Sequence, residues 1–445
     1  MNQGVGMIKV TCLSIGLIAS AIGDDWPRWM GAESDGIWRE DGVRTDLPAK
    51  GARVLWRVPV GWGYSGPSVA GGNVYLPEYV RTEGELMNNP GKAVEWKGSE
   101  RLRCLDMSTG KEKWVFEQAV DYLLSYPGGP RSTPTIADGR VYFLGAMGHF
   151  TCLDAETGKV IWKTDFQKDF GAPLPIWGFS AHPLVKGDTV YCLVGGEGST
   201  AVAFDAKSGK VKWKSLTVDK QGYCPPSIVK AGGVDQLIIW HTESINGLNP
   251  STGEKYWSLP LKPNYGMSVI TPRLVENRMF ASAIGRVGAM IELDPDKPTA
   301  SFAWKGKPKT ALYCCNSTPI VVDGVIYGSD IDSNCLIAAS WEDGKRFWQT
   351  EEPTMAKEHR TSGRHATVYL TLHEKSGKFW LVNESGDLIL AELSKEGYKE
   401  LGRQHVLEPT NEAFGRPVVW SAPAFAGKSV FMRNDKELVR VDLSK

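Results

Sequence analysis

The chain has 445 residues, 42% of them hydrophobic and 23% charged, with Gly 49 and Pro 26, the composition of a globular protein rich in strand-ending residues rather than of a disordered one. Lys+Arg 51 balance Asp+Glu 51, so no summed positive field draws a polyphosphate backbone or an anionic bilayer, and nucleic acid is not expected as a partner.

At the N-terminus, Lys9 precedes the apolar run Val10 to Ile22, and Ala21-x-Gly23 places small residues before Asp24. This predicts a signal peptide over residues 1–23, starting at Met1 or Met7, and hence a periplasmic or extracellular protein. The run is shorter than the ~20 residues of a spanning helix, so no transmembrane segment is expected after cleavage. Residues 24–51 read as a leader and 52–445 as the folded body. Cleavage leaves Cys104, Cys152, Cys192, Cys224, Cys314, Cys315 and Cys335, an odd set that cannot pair completely; most read as buried core thiols.

The body is repetitive. Cys104-Leu-Asp-Met-Ser-Thr-Gly-Lys-Glu-Lys-Trp114 recurs as Cys152-Leu-Asp-Ala-Glu-Thr-Gly-Lys-Val-Ile-Trp162 and Ala203-Phe-Asp-Ala-Lys-Ser-Gly-Lys-Val-Lys-Trp213, with weaker copies ending at Trp257, Trp304 and Trp348. Each copy predicts a hairpin, its turn capped by the Asp side chain and reversed by a Gly at positive φ. Upstream lies a second hairpin opened by Ser/Thr-x-Pro, as in Ser132-Thr-Pro-Thr-Ile-Ala-Asp-Gly-Arg-Val-Tyr142. Two hairpins make a four-stranded unit of about 45 residues, the spacing of propeller blades. Its markers are Pro67, Pro134, Pro183, Pro226, Pro272, Pro319, Thr367 and Pro423. The fold class is therefore all-β: an eight-bladed propeller of four-stranded antiparallel blades. Val54 to Pro59 reads as a fourth strand without its first three, and the chain ends on a third strand at Val439 to Leu443, so the N-terminal strand is expected to complete the last blade and close the ring. The repeat Trp residues, Trp56 included, are assigned to the gaps between blades.

Other segments carry weaker signals. Glu83 to Glu100, with Asn88-Asn-Pro90, reads as a polar insertion in the first blade, a lid, docking loop or solvated loop, and Thr350 to Gly363 as a second. Gly195-Gly-Glu-Gly198 has no helix after it and is no phosphate cradle. Loops entering the innermost strands of a propeller converge on its axis, so residues three before each marker should ring the channel mouth. These are Tyr64, Arg131, Ser180, Tyr223, Val269, Asn316, Arg364 and Trp420, with His182 and His365 beside them. Such a rim can grip an anionic or sugar-like small molecule by bidentate guanidinium contacts and ring stacking, or simply plug a wet channel. Two His without a spaced third ligand assign no metal.

The Asp-x-x-Thr-Gly-Lys-x-x-Trp and Ser-x-Pro-x-x-x-x-Gly-x-Val-Tyr lines resemble the repeat signature of pyrroloquinoline-quinone-type propellers over residues 52 to 445, and Asp25-Trp-Pro-Arg-Trp-Met-Gly-Ala-Glu-Ser-Asp-Gly-Ile37 resembles the leader of a secreted bacterial branch. The resemblance implies either a non-enzymatic module binding a small molecule or an envelope protein on its axial face, as in the propeller lipoprotein of outer-membrane assembly, or a quinoprotein alcohol or sugar dehydrogenase. A polysaccharide-binding propeller is a third reading. For the dehydrogenase it implies pyrroloquinoline quinone and calcium as cofactors, a general-base Asp, and a vicinal disulfide against the quinone. Cys314-Cys315 is a vicinal pair, but it lies in the sixth repeat and runs into Asn316-Ser-Thr-Pro319, whereas in the enzymes the pair comes early. The other reading of the pair buries one thiol and turns the other toward the axis. The leading expectation is the binding module, with no cofactor assigned and no catalytic residue identified.

Overall fold

The computed structural model describes residues 24–360 and 364–445; the expected signal peptide, residues 1–23, lies outside them, as does the end of the stretch Thr350 to Gly363. Eight antiparallel sheets of four strands form the blades, two of them extended by a fifth strand. Their innermost strands are Ser68–Ala70, Thr135–Ala137, Leu184–Lys186, Ser227–Ala231, Arg273–Val275, Ile320–Val322, Val368–His373 and Ala424–Ala426, blades 1 to 8 in that order. Every one begins at the residue after a marker, where a missing N–H costs the ladder nothing. Blade 1 contacts blades 2 and 8 through these strands, so the array is a ring.

Hydroxyl side chains near the starts of the inner strands stitch one blade to the next. Ser68 Oγ donates to the Pro134 carbonyl at 2.5 Å, Thr135 Oγ1 to that of Pro183 at 2.7 Å, and Ser317 Oγ to that of Val368 at 2.6 Å. The hairpin turns form as expected: Asp154 Oδ1 accepts from the Thr157 amide and hydroxyl at 2.8 and 2.7 Å, and Gly158 has φ +70°. A Cβ on Gly158 would lie 2.5 Å from Trp114 of the preceding blade, so the glycine also makes room for that indole. Trp56, Trp114, Trp162, Trp213 and Trp348 each donate Nε1 to a carbonyl in the next blade, at 2.8 to 3.2 Å. Trp257 departs from this and donates to Gln236 within its own blade, because the following turn, through Asp294-Pro-Asp, lacks the repeat glycine. Val54–Pro59 pairs antiparallel with Glu437–Asp442, with Arg57 opposite Val439, and closes blade 8.

Three features depart from the sequence reading. Part of the expected insertion Glu83 to Glu100 is strand: Asn73–Glu83 and Val94–Asp106 pair from Asn73 opposite Asp106 to Glu83 opposite Lys97, leaving residues 84–93 as the loop. Between blades 7 and 8 a small hairpin, Asn411–Ala413 with Arg416–Val418, has no counterpart among the described residues of the other blades. The leader is the third. Trp26 pairs with Val69, the Pro27 carbonyl accepts from the Ile136 amide, Arg273 donates to the Ser34 and Asp35 carbonyls, and Ile37–Trp38 runs parallel to Leu372–His373. It therefore traverses the ring along the middles and far ends of the inner strands, away from the rim. No helix among the described residues is long and apolar enough to cross a membrane.

Candidate functional site

On the ring axis lies a cavity of about 200 Å³. Seven of the eight expected rim positions line it, Tyr64, Arg131, Ser180, Tyr223, Val269, Asn316 and Trp420, together with His182 and His365. Arg364 does not: its side chain is exposed and its carbonyl accepts from Arg416 Nη2 at 2.6 Å. His365 adopts φ +57°, and in this turn it is the His365 ring that faces the cavity, stacked on Phe414 at 4.8 Å. Sequence reasoning missed Trp29, Tyr126, Trp177, Tyr369 and Phe414, which also line the cavity. Trp29 stands on the leader, Tyr126 and Trp177 on loops and Phe414 on the extra hairpin, where no repeat position signals them, while Tyr369 lies on the inner strand of blade 7, a position the count back from the marker does not reach.

The lining is aromatic, with eight Trp, Tyr and Phe rings and no Asp or Glu. Trp177 and Tyr223 approach at 5.8 Å, Tyr126 and Trp420 at 6.0 Å. Trp29 closes the far end, stacked on His182 at 4.4 Å and 15°. Pro90 and Phe414 contribute from the rim side. There the loop meets the hairpin, Asn88 Nδ2 donating to Asn411 Oδ1 and, at 2.7 Å, to the Glu412 carbonyl. The hairpin is anchored by a nearly inaccessible ion pair: Arg416 donates Nε to Glu384 Oε1 at 2.7 Å and Nη2 to Oε2 at 3.0 Å, and Trp420 Nε1 donates to the same carboxylate at 3.2 Å.

Arg131 is the cation of this lining. Its Nη1 donates to the Gly129 carbonyl at 2.6 Å, its Nη2 to those of Ser125 and Tyr126, and its Cζ lies 5.2 Å from the Tyr64 ring centre. No ion pair neutralises it among the described residues, and burial pulls its pKa below the usual guanidinium value. With both Nη2 protons committed to carbonyls, the bidentate grip expected from sequence is not free; Arg131 instead braces the 125–129 turn and gives the cavity a positive potential. The histidines add no charge at neutral pH. Burial lowers His182 to about 3, and burial with the Arg416 and Arg364 charges lowers His365 to about 4. His182 Nδ1 accepts from the Thr133 amide at 2.8 Å, which leaves its proton on Nε2.

Cys314 and Cys315 are free thiols rather than a disulfide. Cys314 packs in the core shared by blades 5 and 6, its amide donating to Ser282 Oγ at 2.8 Å, while Cys315 lines the cavity with its thiol pushed up to about 12 by burial. Alternation along the chain sends neighbouring side chains to opposite sides. The lining thus offers a quinone and calcium neither a carboxylate ligand, nor a general-base Asp, nor a vicinal disulfide platform, and no cluster of three or more His, Cys, Asp or Glu suits a metal among the described residues. These residues do not fit that pair of cofactors.

Ring and closure together define an eight-bladed propeller with an axial cavity, built on the pyrroloquinoline-quinone-type repeat. The family model described as outer membrane protein assembly factor BamB matches residues 98–350 and 241–445, and the chain belongs to this family. It is 26% identical over 229 residues to the outer membrane protein assembly factor BamB of Yersinia pestis, covering 47% of this chain and 54% of that protein. The chain spans about half the length of the first curated relatives it matches. Among solved structures it is similar to quinohemoprotein alcohol dehydrogenase from Comamonas testosteroni, with a TM-score of 0.61, 12% identity, and 95% and 81% of the two chains covered. It is also similar to BamB from Moraxella catarrhalis, with a TM-score of 0.52, 15% identity, and 82% and 97% covered. At these identities the structural likeness shows the fold alone.

Proposed function

We propose that this protein is an exported binding propeller of the cell envelope, working in the periplasm or outside the cell, whose axial cavity holds a compact ring-bearing ligand that is neutral or singly negative. The observation that carries this reading is the eight-ring lining around one unpaired guanidinium, with no carboxylate to repel an anion. Aromatic faces stack on sugar or aromatic rings and select by shape, and the Arg131 charge favours a carboxylate at the ring's edge. The relatives named for outer membrane protein assembly support an envelope location and a protein partner, which in this reading docks on the same axial face.

The test is calorimetric titration of the chain from residue 24 with uronic acids, neutral glycans and aromatic carboxylates, repeated on a Tyr223→Ala, Trp420→Ala variant. Losing two stacking faces should weaken binding about ten-fold or more. Absence of heat with every ligand, or equal affinity in the variant, removes the cavity from consideration. Addition of pyrroloquinoline quinone and calcium is expected to give no bound chromophore and no dye-linked oxidation of alcohols or aldoses; a chromophore would favour the dehydrogenase reading instead.

A further inference from the structure

At the far end of the axis a second cavity, of about 550 Å³, opens between the leader and the inner strands of blades 3 to 5. Its character is opposite to that of the first. Arg28, Arg273 and Lys186 line it against a single carboxylate, Glu33. Lys186 is paired outward with Asp235 at 2.8 Å, whereas neither arginine has an ion-pair partner among the described residues. Arg273 is satisfied only by the Ser34 and Asp35 carbonyls, at 2.9 and 2.8 Å, and burial pulls its pKa down to about 10.

Four buried polar atoms of the lining residues have no hydrogen-bond partner among the described residues: Arg28 Nε, Trp29 Nε1, Ser227 Oγ and Thr271 Oγ1. Thr271 is only 5% exposed. Buried donors left unmade are rare and costly, and four around one positively charged space are a set waiting for an acceptor. Two of them are N–H groups that can only donate, and the other two are hydroxyls that can. The ligand they would satisfy accepts several hydrogen bonds and carries negative charge.

We propose that this groove is a second binding site, distinct from the axial cavity, for an oxyanion-bearing ligand, a carboxylate or a phosphate, held by Arg28, Arg273, Ser227 and Thr271. Trp29 walls both cavities, so an occupant of the groove also steadies the far end of the axial cavity.

The experiment titrates the chain from residue 24 at constant ionic strength with inorganic phosphate, glucuronate and, as control, chloride, reading dissociation constants by equilibrium dialysis and melting temperature by scanning fluorimetry. Thr271→Val and Ser227→Ala, which keep side-chain size close to the original, should each weaken oxyanion binding about two- to ten-fold, and Arg28→Gln about ten-fold or more. Trp420→Ala, in the axial cavity, should leave it unchanged, which separates this site from the proposed function. Binding of phosphate alone, of glucuronate alone or of both upholds the groove and names the source of the oxyanion. A wild-type response equal to chloride, unchanged affinity in Thr271→Val, Ser227→Ala and Arg28→Gln, or loss in Trp420→Ala alone overturns it.

Discussion

The two ends of the axial channel are built on the same inner strands and hold opposite chemistry. At the rim end, loops feeding the strands supply aromatic rings, two of them tied by their polar tips: Tyr64 accepts from Asn411 Nδ2 at 3.1 Å and Trp420 Nε1 donates to Glu384 at 3.2 Å. At the far end, the leader crosses the strands and leaves Arg28 and Arg273 without ion-pair partners and the Ser227 and Thr271 hydroxyls without hydrogen-bond partners among the described residues. A ring of equivalent strands makes equivalent positions, so asymmetric chemistry has to come from what is added to the repeat: a hairpin and a loop at one end, the leader at the other.

The sharpest way to break this contrast is at the hairpin anchor. Glu384→Gln leaves the Arg416 charge buried without its carboxylate, and a stability loss of about 3–5 kcal/mol is expected in denaturant unfolding. Ligand binding in the axial cavity should fall with it, as Phe414 and Trp420 lose their support, while oxyanion binding at the far end persists in the folded fraction. Trp29→Ala tests the shared wall. It should cost about 2–3 kcal/mol for a half-buried indole and, unlike a substitution at Tyr223 or Trp420, weaken binding at both ends.

Acid should loosen the same wall without a mutation. His182 titrates at about 3 in the fold against about 6.5 when unfolded. A base with a depressed folded pKa contributes stability that is complete above the unfolded value and drains away as pH falls toward the folded one, here at up to about 1.4 kcal/mol per pH unit between 6.5 and 3. Stability measured across that window should decline with acid, and His182→Gln should flatten the slope. The smallest effect belongs to Asn88→Ala, which unties the loop from the hairpin. A change below about 1 kcal/mol in stability is expected, with release from the axial cavity a few-fold faster in stopped flow and no effect on the far groove.

Much of the rim was legible because a propeller places one copy of a sequence position per blade around one axis. Counting back three residues from each marker found seven lining residues for that reason alone. The count failed at blade 7, where Thr367 replaces the marker Pro and the positive φ of His365 shifts which neighbour faces inward. The extra hairpin left one trace in the sequence, Gly415, which with Phe414 takes the positive φ of a tight hairpin turn, but it is one of 49 Gly in the chain and stood outside the repeat. Polarity misled at residues 94–100, where Glu, Lys, Gly and Ser surround a strand face buried only at Trp96 and Glu100 and the segment reads like loop.

Periodicity alone therefore determined the number of blades, the first residue of each inner strand, the inter-blade indoles and the pairing of Val54–Pro59 with the last blade, because these depend on local turn chemistry and on a pattern that repeats. Tertiary structure alone decided that the thiols of Cys314 and Cys315 part company, that Arg131 spends its donors on carbonyls, and that the leader seals one end of the channel and shapes a second cavity. Those outcomes depend on contacts between segments far apart in sequence and present once each, for which no repeat supplies a second copy to compare.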